Sequence, residues 1–283
     1  MAIDKAIDSA RLDGALAATA DAIRAKTGGT EKIPFDPDTG YADEVASIEQ
    51  KTGEDRFSEF MLGTITDIVV PTGTSFIGKY VFLNQTELRS ADLRNLTGEI
   101  RDYAFCKCNK LQSVIMPDEG TITLSTYAFS QCSSLERVEW YNNVKCVPIT
   151  SSPTGTSGGS PYIFSSCTSL KEVIIPNLEL NAKSTYCFSY CTNLELADIG
   201  GLIAAYCFNN CKKLKTIILR KQSVSTLGGS TVFTGTPFAS AGGGGTVYVP
   251  DALIESYKTA TNWVTLYNAG KVTFLPIEGS EYE

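Results

Sequence analysis

Apolar positions recur along the middle of this chain with a period far longer than that of a helix or a strand. The segment YAFCKCNKLQSVIMP runs from Tyr103 to Pro117. It is repeated as YAFSQCSSLERVEW at Tyr127, YIFSSCTSLKEVIIP at Tyr162, YCFSYCTNLELADI at Tyr186 and YCFNNCKKLKTIIL at Tyr206. Each copy sets a Phe, a Cys three residues on, a Leu six on, and apolar residues near nine and eleven on. A degenerate copy, YVFLNQTELRSADL, stands at Tyr80, and a vestigial one begins at Val232-Phe233. The anchors Phe82, Phe105, Phe129, Phe164, Phe188, Phe208 and Phe233 are 23, 24, 35, 24, 20 and 25 residues apart. A period of about 24 residues is that of a solenoid, whose turns bury their apolar side against neighbouring turns. By strand alternation, residues 9 and 11 after each Phe point inward and residue 10 points outward. The outward column is then Ile115, Glu139, Ile174, Asp198 and Ile218. ITDIVVP, residues 65–71, reads as the closing strand of an imperfect first coil, with Ile68 and Val70 placed as Val114 and Met116 are.

The flanks carry a different pattern. Leu12, Leu16 and Ile23 form one apolar stripe at helical spacing, ended by Gly28-Gly29, and Tyr41, Val45 and Ile48 mark a second, shorter helix. Two short helices cannot bury enough surface to stand alone, so residues 1–50 are expected to dock on the solenoid, on a copy of themselves or on another protein. The charged, turn-rich stretch within 51–64 serves as a linker, the solenoid occupies 65–241, and 242–283 form a terminal cap. In the cap, Gly242–Gly245 read as a turn or hinge and VYV at Val247 as the last strand. Asp251 reads as the cap of a helix carrying Leu253, Ile254 and Tyr257 inward, with Trp263 nearby. The 35-residue interval holds an insertion between Trp140 and Tyr162, about eleven residues longer than a normal coil and rich in Ser, Thr, Gly and Pro, hence a surface loop.

Composition narrows the function. The 283 residues carry a net charge of −7 with 43% hydrophobic and 19% charged residues, which suits a folded chain and opposes sequence-independent nucleic-acid binding. No apolar run is long enough for a membrane span, and MAIDKAIDSARLDG has no apolar core of the kind a Sec signal peptide needs. The chain has no histidine, which removes imidazole acid–base chemistry, His-dependent nucleophiles and His-ligated zinc. Five of the nine cysteines, Cys108, Cys132, Cys167, Cys191 and Cys211, share one repeat position. Stacked with parallel vectors, they read as a buried column of free thiols rather than bridges. Cys187 and Cys207, each just before the Phe of adjacent copies, are the pair in which a disulfide is left open. GTSFIGKY at Gly73 falls short of a phosphate loop, since Tyr80 replaces the hydroxyl ligand. No catalytic, cofactor-binding or metal-binding set emerges, so no enzyme and no cofactor is expected.

The repeats resemble the BspA-type leucine-rich repeat family over residues 65–250, and VYVPDALIESYKTATNW resembles the cap that closes such arrays. The resemblance implies a mainly β leucine-rich-repeat solenoid with a short parallel sheet and mostly irregular return segments. It also implies adhesion or recognition. Residues 12–48 are similar to a leader segment of tail-associated and other structural proteins of phages and prophages, on the strength of ADAIRAKTG and an acidic helix ending in ASI. Together these imply a virion protein of tail or baseplate that binds other virion proteins through residues 1–50, with a homo-oligomer as a further option. Its solenoid would then meet a host cell-surface protein or glycan. The alternatives are a bacterial cell-surface adhesin and a decoration or scaffold protein without a receptor. Two surfaces compete for recognition: the insertion, with Tyr141 and Tyr162 at its ends, and the outward column.

Overall fold

The computed structural model describes residues 59–60, 62–141, 144–148, 161–180, 182 and 184–283. The helices expected within residues 1–50, with Leu12, Leu16, Ile23, Tyr41, Val45 and Ile48, lie outside the described residues, as does most of the insertion.

The described chain is a parallel β-solenoid. Its strands are β1 (Asp67–Val69), β2 (Phe76–Ile77), β3 (Ser90–Asp92), β4 (Glu99–Ile100), β5 (Ser113–Ile115), β6 (Gly120–Leu124), β7 (Arg137–Glu139), β8 (Val144–Pro148), β9 (Glu172–Leu180), β10 (Leu196–Gly201), β11 (Thr216–Ile218), β12 (Gly245–Val249) and β13 (Val272–Pro276). They stack in two columns. One sheet runs β1-β3-β5-β7, and a second runs β2-β4-β6-β8-β9-β10-β11-β12-β13. All pairs are parallel, and each copy pairs in register with the next, as Val114 does with Ala91 and Val138. The long β9 belongs to both columns, meeting β10 through Glu172–Ile175 and β8 through Leu178.

The second column corrects the expectation of irregular return segments. Its sequence signal is an aliphatic residue three before four of the six repeat tyrosines: Ile77, Ile100, Leu124 and Ile203 are all buried. The insertion is likewise not loop throughout, because its first part forms β8 and pairs with β6 over five residues. The extra length therefore falls after Pro148.

Between the two columns lies the turn that contains Tyr, Phe and Cys, and its backbone is unusual. Tyr80, Tyr103, Tyr127, Tyr162, Tyr186 and Tyr206 all have positive φ, from 43° to 66°, and so do the residues two after each Phe, such as Lys107 and Tyr190. This left-handed region costs a bulky side chain about 1–3 kcal/mol. In return, alternate N–H groups point along the stack. Tyr103, Phe105 and Lys107 donate to Thr126, Ala128 and Ser130 of the next coil at 3.0, 2.8 and 2.9 Å. The intervening Ala104 and Cys106 N–H groups close tight turns on Arg101 and Tyr103, at 3.2 and 3.1 Å.

Side chains reinforce the same axis. The Phe rings stack from Phe82 to Phe233 with centroids 4.9 to 6.2 Å apart. The Tyr rings stack beside them at 4.7 to 5.3 Å. Offset stacking of this kind is worth about 0.5–1.5 kcal/mol per pair beyond burial.

The thiols have a specific task. Cys108, Cys132, Cys167, Cys191 and Cys211 donate to the carbonyls of Phe82, Phe105, Phe129, Phe164 and Phe188 in the preceding coil, at 2.9 to 3.2 Å. Within their own turn, those carbonyls accept only N–H contacts of 3.2 to 3.4 Å. The five column thiols are buried and free, and burial pushes Cys191 up to about 12. Cys187 and Cys207 are free thiols as well, with no disulfide between them.

Aromatic residues close both ends. Phe60, at the end of the stretch read as linker, packs edge-on against Phe82 at 5.7 Å. At the other end, Phe233 stacks on Phe238 at 4.6 Å and meets Trp263 at 6.3 Å. The cap consists of β12, α1 (Ile254–Thr259), α2 (Trp263–Asn268) and β13. Trp263 Nε1 donates to the Ser225 carbonyl and the Tyr257 hydroxyl accepts from the Ser225 N–H, both at 2.8 Å.

Four details of the cap differ from expectation. The last strand is β13, not β12. Asp251 is not the cap of a helix: it is the first residue of a short 3-10 turn preceded by Pro250, and its own N–H donates to Glu278 Oε2 at 2.9 Å. Leu253 and Ile254 are only half-buried, while Tyr257 is fully buried. Gly245 starts β12 instead of ending a hinge, because the Phe238 ring lies over it and a Cβ there would sit 2.3 Å from the ring.

The thiol bond makes a substitution series informative. A serine at this position would find an acceptor in the Phe carbonyl, so the hydroxyl is not stranded. Cys167→Ala is expected to cost about 1–3 kcal/mol through the lost donor and the space left, and Cys167→Ser distinctly less. Urea unfolding measures both. Equal losses for Ala and Ser would show that the bond to Phe129 contributes nothing.

Candidate recognition surface

The outward residues of the first strand column form a nine-step series: Val69, Asp92, Ile115, Glu139, Ile174, Asp198, Ile218, Tyr248 and Leu275. Along most of it, apolar and acidic residues alternate. Each acid is held by an arginine: Asp92 by Arg94 at 2.6 Å, Glu139 by Arg137 at 3.0 Å and Asp198 by Arg220 at 2.8 Å. The face is therefore a set of separated apolar spots, not a continuous aliphatic ladder.

The structure divides the expected recognition residues. Ile174 is exposed at 46% and Tyr141 at 40%, while Ile115 and Glu139 are half-buried. Asp198 and Ile218 are buried, which removes them from any contact surface. Ile218 lies between Asp198 and Tyr248 in register, and Tyr282 from the C-terminal segment packs edge-on against Tyr248 at 4.7 Å. Tyr162 does not mark a free loop end, since its ring is stacked between Tyr127 and Tyr186. Residues 149–160 of the insertion lie outside the described residues.

Asp198 is the most constrained charge on this face. Burial pushes its carboxyl above the usual range, and Arg220 pulls it back. Oδ2 accepts from Arg220 Nε at 2.8 Å, while Oδ1 is buried with no partner. Because the folded state favours the protonated form, the cost of this residue appears as pH rises through the carboxylate range.

A groove missed in the sequence runs beside this column, over the residues seven and eight after each Phe. It encloses about 1210 Å³ and spans the coils from Gln112 to Thr216. Its charged lining comprises Arg137, Lys171, Lys212, Lys213 and Lys215 against Glu136, Glu172 and Glu195. That is five cations to three carboxylates, a local excess of positive charge on a chain of net charge −7. Among the described residues, Lys171, Lys212, Lys213 and Lys215 make no ion pair, so their ammonium groups stand free in the groove. Tyr282 lines the groove as well. The legible signal was the charge at residue seven of successive copies, Glu136, Lys171, Glu195 and Lys215, together with the pair Lys212-Lys213.

Among the described residues, no cluster of Cys, Asp and Glu is arranged to hold a metal ion, and no helix is long and apolar enough to cross a membrane. The geometry offers shape and charge over many coils.

Two stacked parallel columns built from a 24-residue period define a leucine-rich-repeat solenoid. The model of the BspA type leucine-rich repeat region matches residues 56–151 and 152–241 in six copies, and the chain belongs to that family. Among solved structures, the leucine-rich repeat protein of T. pallidum is similar at 21% identity over 69% of this chain and 83% of that one, with a TM-score of 0.50. A leucine-rich repeat protein from Bacteroides ovatus ATCC 8483 matches at 16% identity over 77% of this chain and 64% of that one, with a TM-score of 0.33. No curated protein matches. The first structure supports the fold alone.

The Asp198–Arg220 pair gives a pH-dependent prediction. Arg220→Ala strands a buried carboxylate and is expected to cost near the low end of about 3–5 kcal/mol at neutral pH, because the arginine side chain is 37% exposed. The loss should shrink as pH falls and Asp198 takes up a proton. Adding Asp198→Asn should recover most of the stability at neutral pH. Thermal unfolding across pH checks this, and a pH-independent loss would contradict it.

Proposed function

We propose that the chain is a non-enzymatic recognition module that acts at a bacterial cell surface, with the lysine-lined groove as its contact region. The observation that supports this reading is the groove itself: several coils long, open, mostly polar, and carrying unpaired ammonium groups on an acidic protein. A surface built in this way favours an anionic partner, a cell-surface protein or glycan. Membership of a family commonly associated with cell surfaces supports the location. Residues 1–50 would attach or oligomerise the module, in keeping with apolar stripes too small to form a core of their own. A virion location, with those residues held by other tail or baseplate proteins, is the second reading. It rests on the resemblance of residues 12–48, and the groove would serve it equally.

Adsorption of the purified chain to intact bacterial cells tests the reading. Replacing Lys212, Lys213 and Lys215 together by Glu is expected to lower adsorption by at least about tenfold. Thermal unfolding should be almost unchanged, since these side chains are exposed. Added salt should weaken the wild-type interaction in parallel. Adsorption that survives both treatments would reject the groove and leave the scaffold reading in its place.

A further inference from the structure

Among the described residues, the stack of strands is broken at one step. Rungs between residue seven of successive copies run from Gln112 N–H to the Arg89 carbonyl at 2.8 Å and from Glu136 N–H to Gln112 at 2.9 Å. They resume from Glu195 N–H to Lys171 at 2.8 Å and from Lys215 N–H to Glu195 at 3.0 Å. The rung from Lys171 to Glu136 is not made. Nor is the rung from Trp140 to Ile174, although its counterparts join Leu93 to Ile115 at 2.8 Å, Met116 to Glu139 at 3.0 Å and Leu219 to Tyr248 at 2.9 Å. As a result, β7 is an edge strand in the middle of the solenoid, and Glu172–Ile175 of β9 pairs with β10 alone.

The turn column is intact across the same step. Gln131 N–H reaches the Ser165 carbonyl at 2.7 Å, Ser169 N–H reaches Ser133 at 3.1 Å, and Phe129 stacks on Phe164 at 5.3 Å. The two coils therefore form a wedge, hydrogen-bonded at the turns and unpaired at the strand face.

Side chains register the opening. Val138 and Trp140 are half-exposed, whereas Val114, Met116, Ala197, Ile199, Ile217 and Leu219 at the same repeat positions are fully buried. Val138 and Trp140 line a small cleft with Phe164, Leu170, Val173 and Ile175. Trp140 Nε1 is shut away from solvent with no acceptor among the described residues.

We propose that this wedge accepts an extended segment of a partner protein. The segment pairs its backbone with the open edge of β7, seats an aliphatic or aromatic side chain against Val138 and Trp140, and offers a carbonyl to Trp140 Nε1. An unpaired strand edge beside an apolar cleft selects another extended polypeptide, because only that supplies alternating backbone donors and acceptors together with apolar side chains. A glycan supplies neither. The cleft as it stands holds about 10 Å³, room for a single water, so the segment enters by parting β7 from β9 while the turn column holds. Glu172 borders both the cleft and the lysine groove, so a bound segment would lead from one into the other. The wedge stands on observations independent of those lysines.

The chain has two tryptophans, and Trp263 is buried in the cap, so a ligand-induced change in emission reports Trp140. The probe is a positional library of octapeptides capped at both ends, titrated against the full chain, with every hit remade carrying single N-methylated backbone amides. The expected hits carry apolar residues at alternating positions. They should lose at least about tenfold in affinity on N-methylation at one alternation phase only, and a similar factor by calorimetry against Trp140→Phe. The triple replacement of Lys212, Lys213 and Lys215 by Glu should leave peptide affinity intact, which separates this site from the groove. Affinity indifferent to N-methylation at every position, or no octapeptide bound more tightly than about 1 mM, would overturn the proposal.

Discussion

The rest of the structure depends on a turn that its residues would not choose alone. In the six coils from Tyr80 to Tyr206 a tyrosine and the residue two beyond the phenylalanine are held in the left-handed region. Alternate N–H groups therefore face the next coil, three in each of the first three coils and two in each of the next three. That geometry fixes the rise from coil to coil and aligns the rings. It also leaves the Phe carbonyl open toward the following coil, whose thiol meets it. Strain, stacking and the thiol bond are thus one arrangement, and neither strand column could keep its register without it.

The consequence for function is a division of labour along the perimeter of each coil. The turn column is continuous from Phe82 to Phe233 and tolerates the insertion without a break. The strand face carries the variation: alternating apolar and arginine-held acidic residues, a lysine-rich groove, and one parted step at β7. A rigid spine with a variable face suits recognition, because contacts can change without disturbing the elements that hold the coils together.

Much of this was legible in the sequence, for a physical reason. A solenoid repeats each packing demand in every coil, so Phe, Cys and Leu announce the buried columns by recurrence alone. The inward positions at Val114, Met116, Ala197 and Ile199 followed directly from strand alternation. What was illegible depends on neighbours that no single coil specifies. Asp198 and Ile218 have the outward phase but are buried, Asp198 beneath its ion pair with Arg220. The partner of the cysteine column is a backbone carbonyl, which no residue letter reveals. The second strand column was readable in Ile77, Ile100, Leu124 and Ile203, but its short strands left a weaker alternation. The groove escaped because its charges alternate in sign and gather only when the coils are stacked.

The central claim is that the turn column, rather than either sheet, holds the coils together. Native-state hydrogen exchange of individual amides tests it most directly. The account predicts that the amides of Phe105, Phe129, Phe164 and Phe188 exchange only through global unfolding, with protection equal to the full stability of the solenoid. Faster exchange at these four amides than at Val114 or Ile217 in the strands, through local opening, would contradict it.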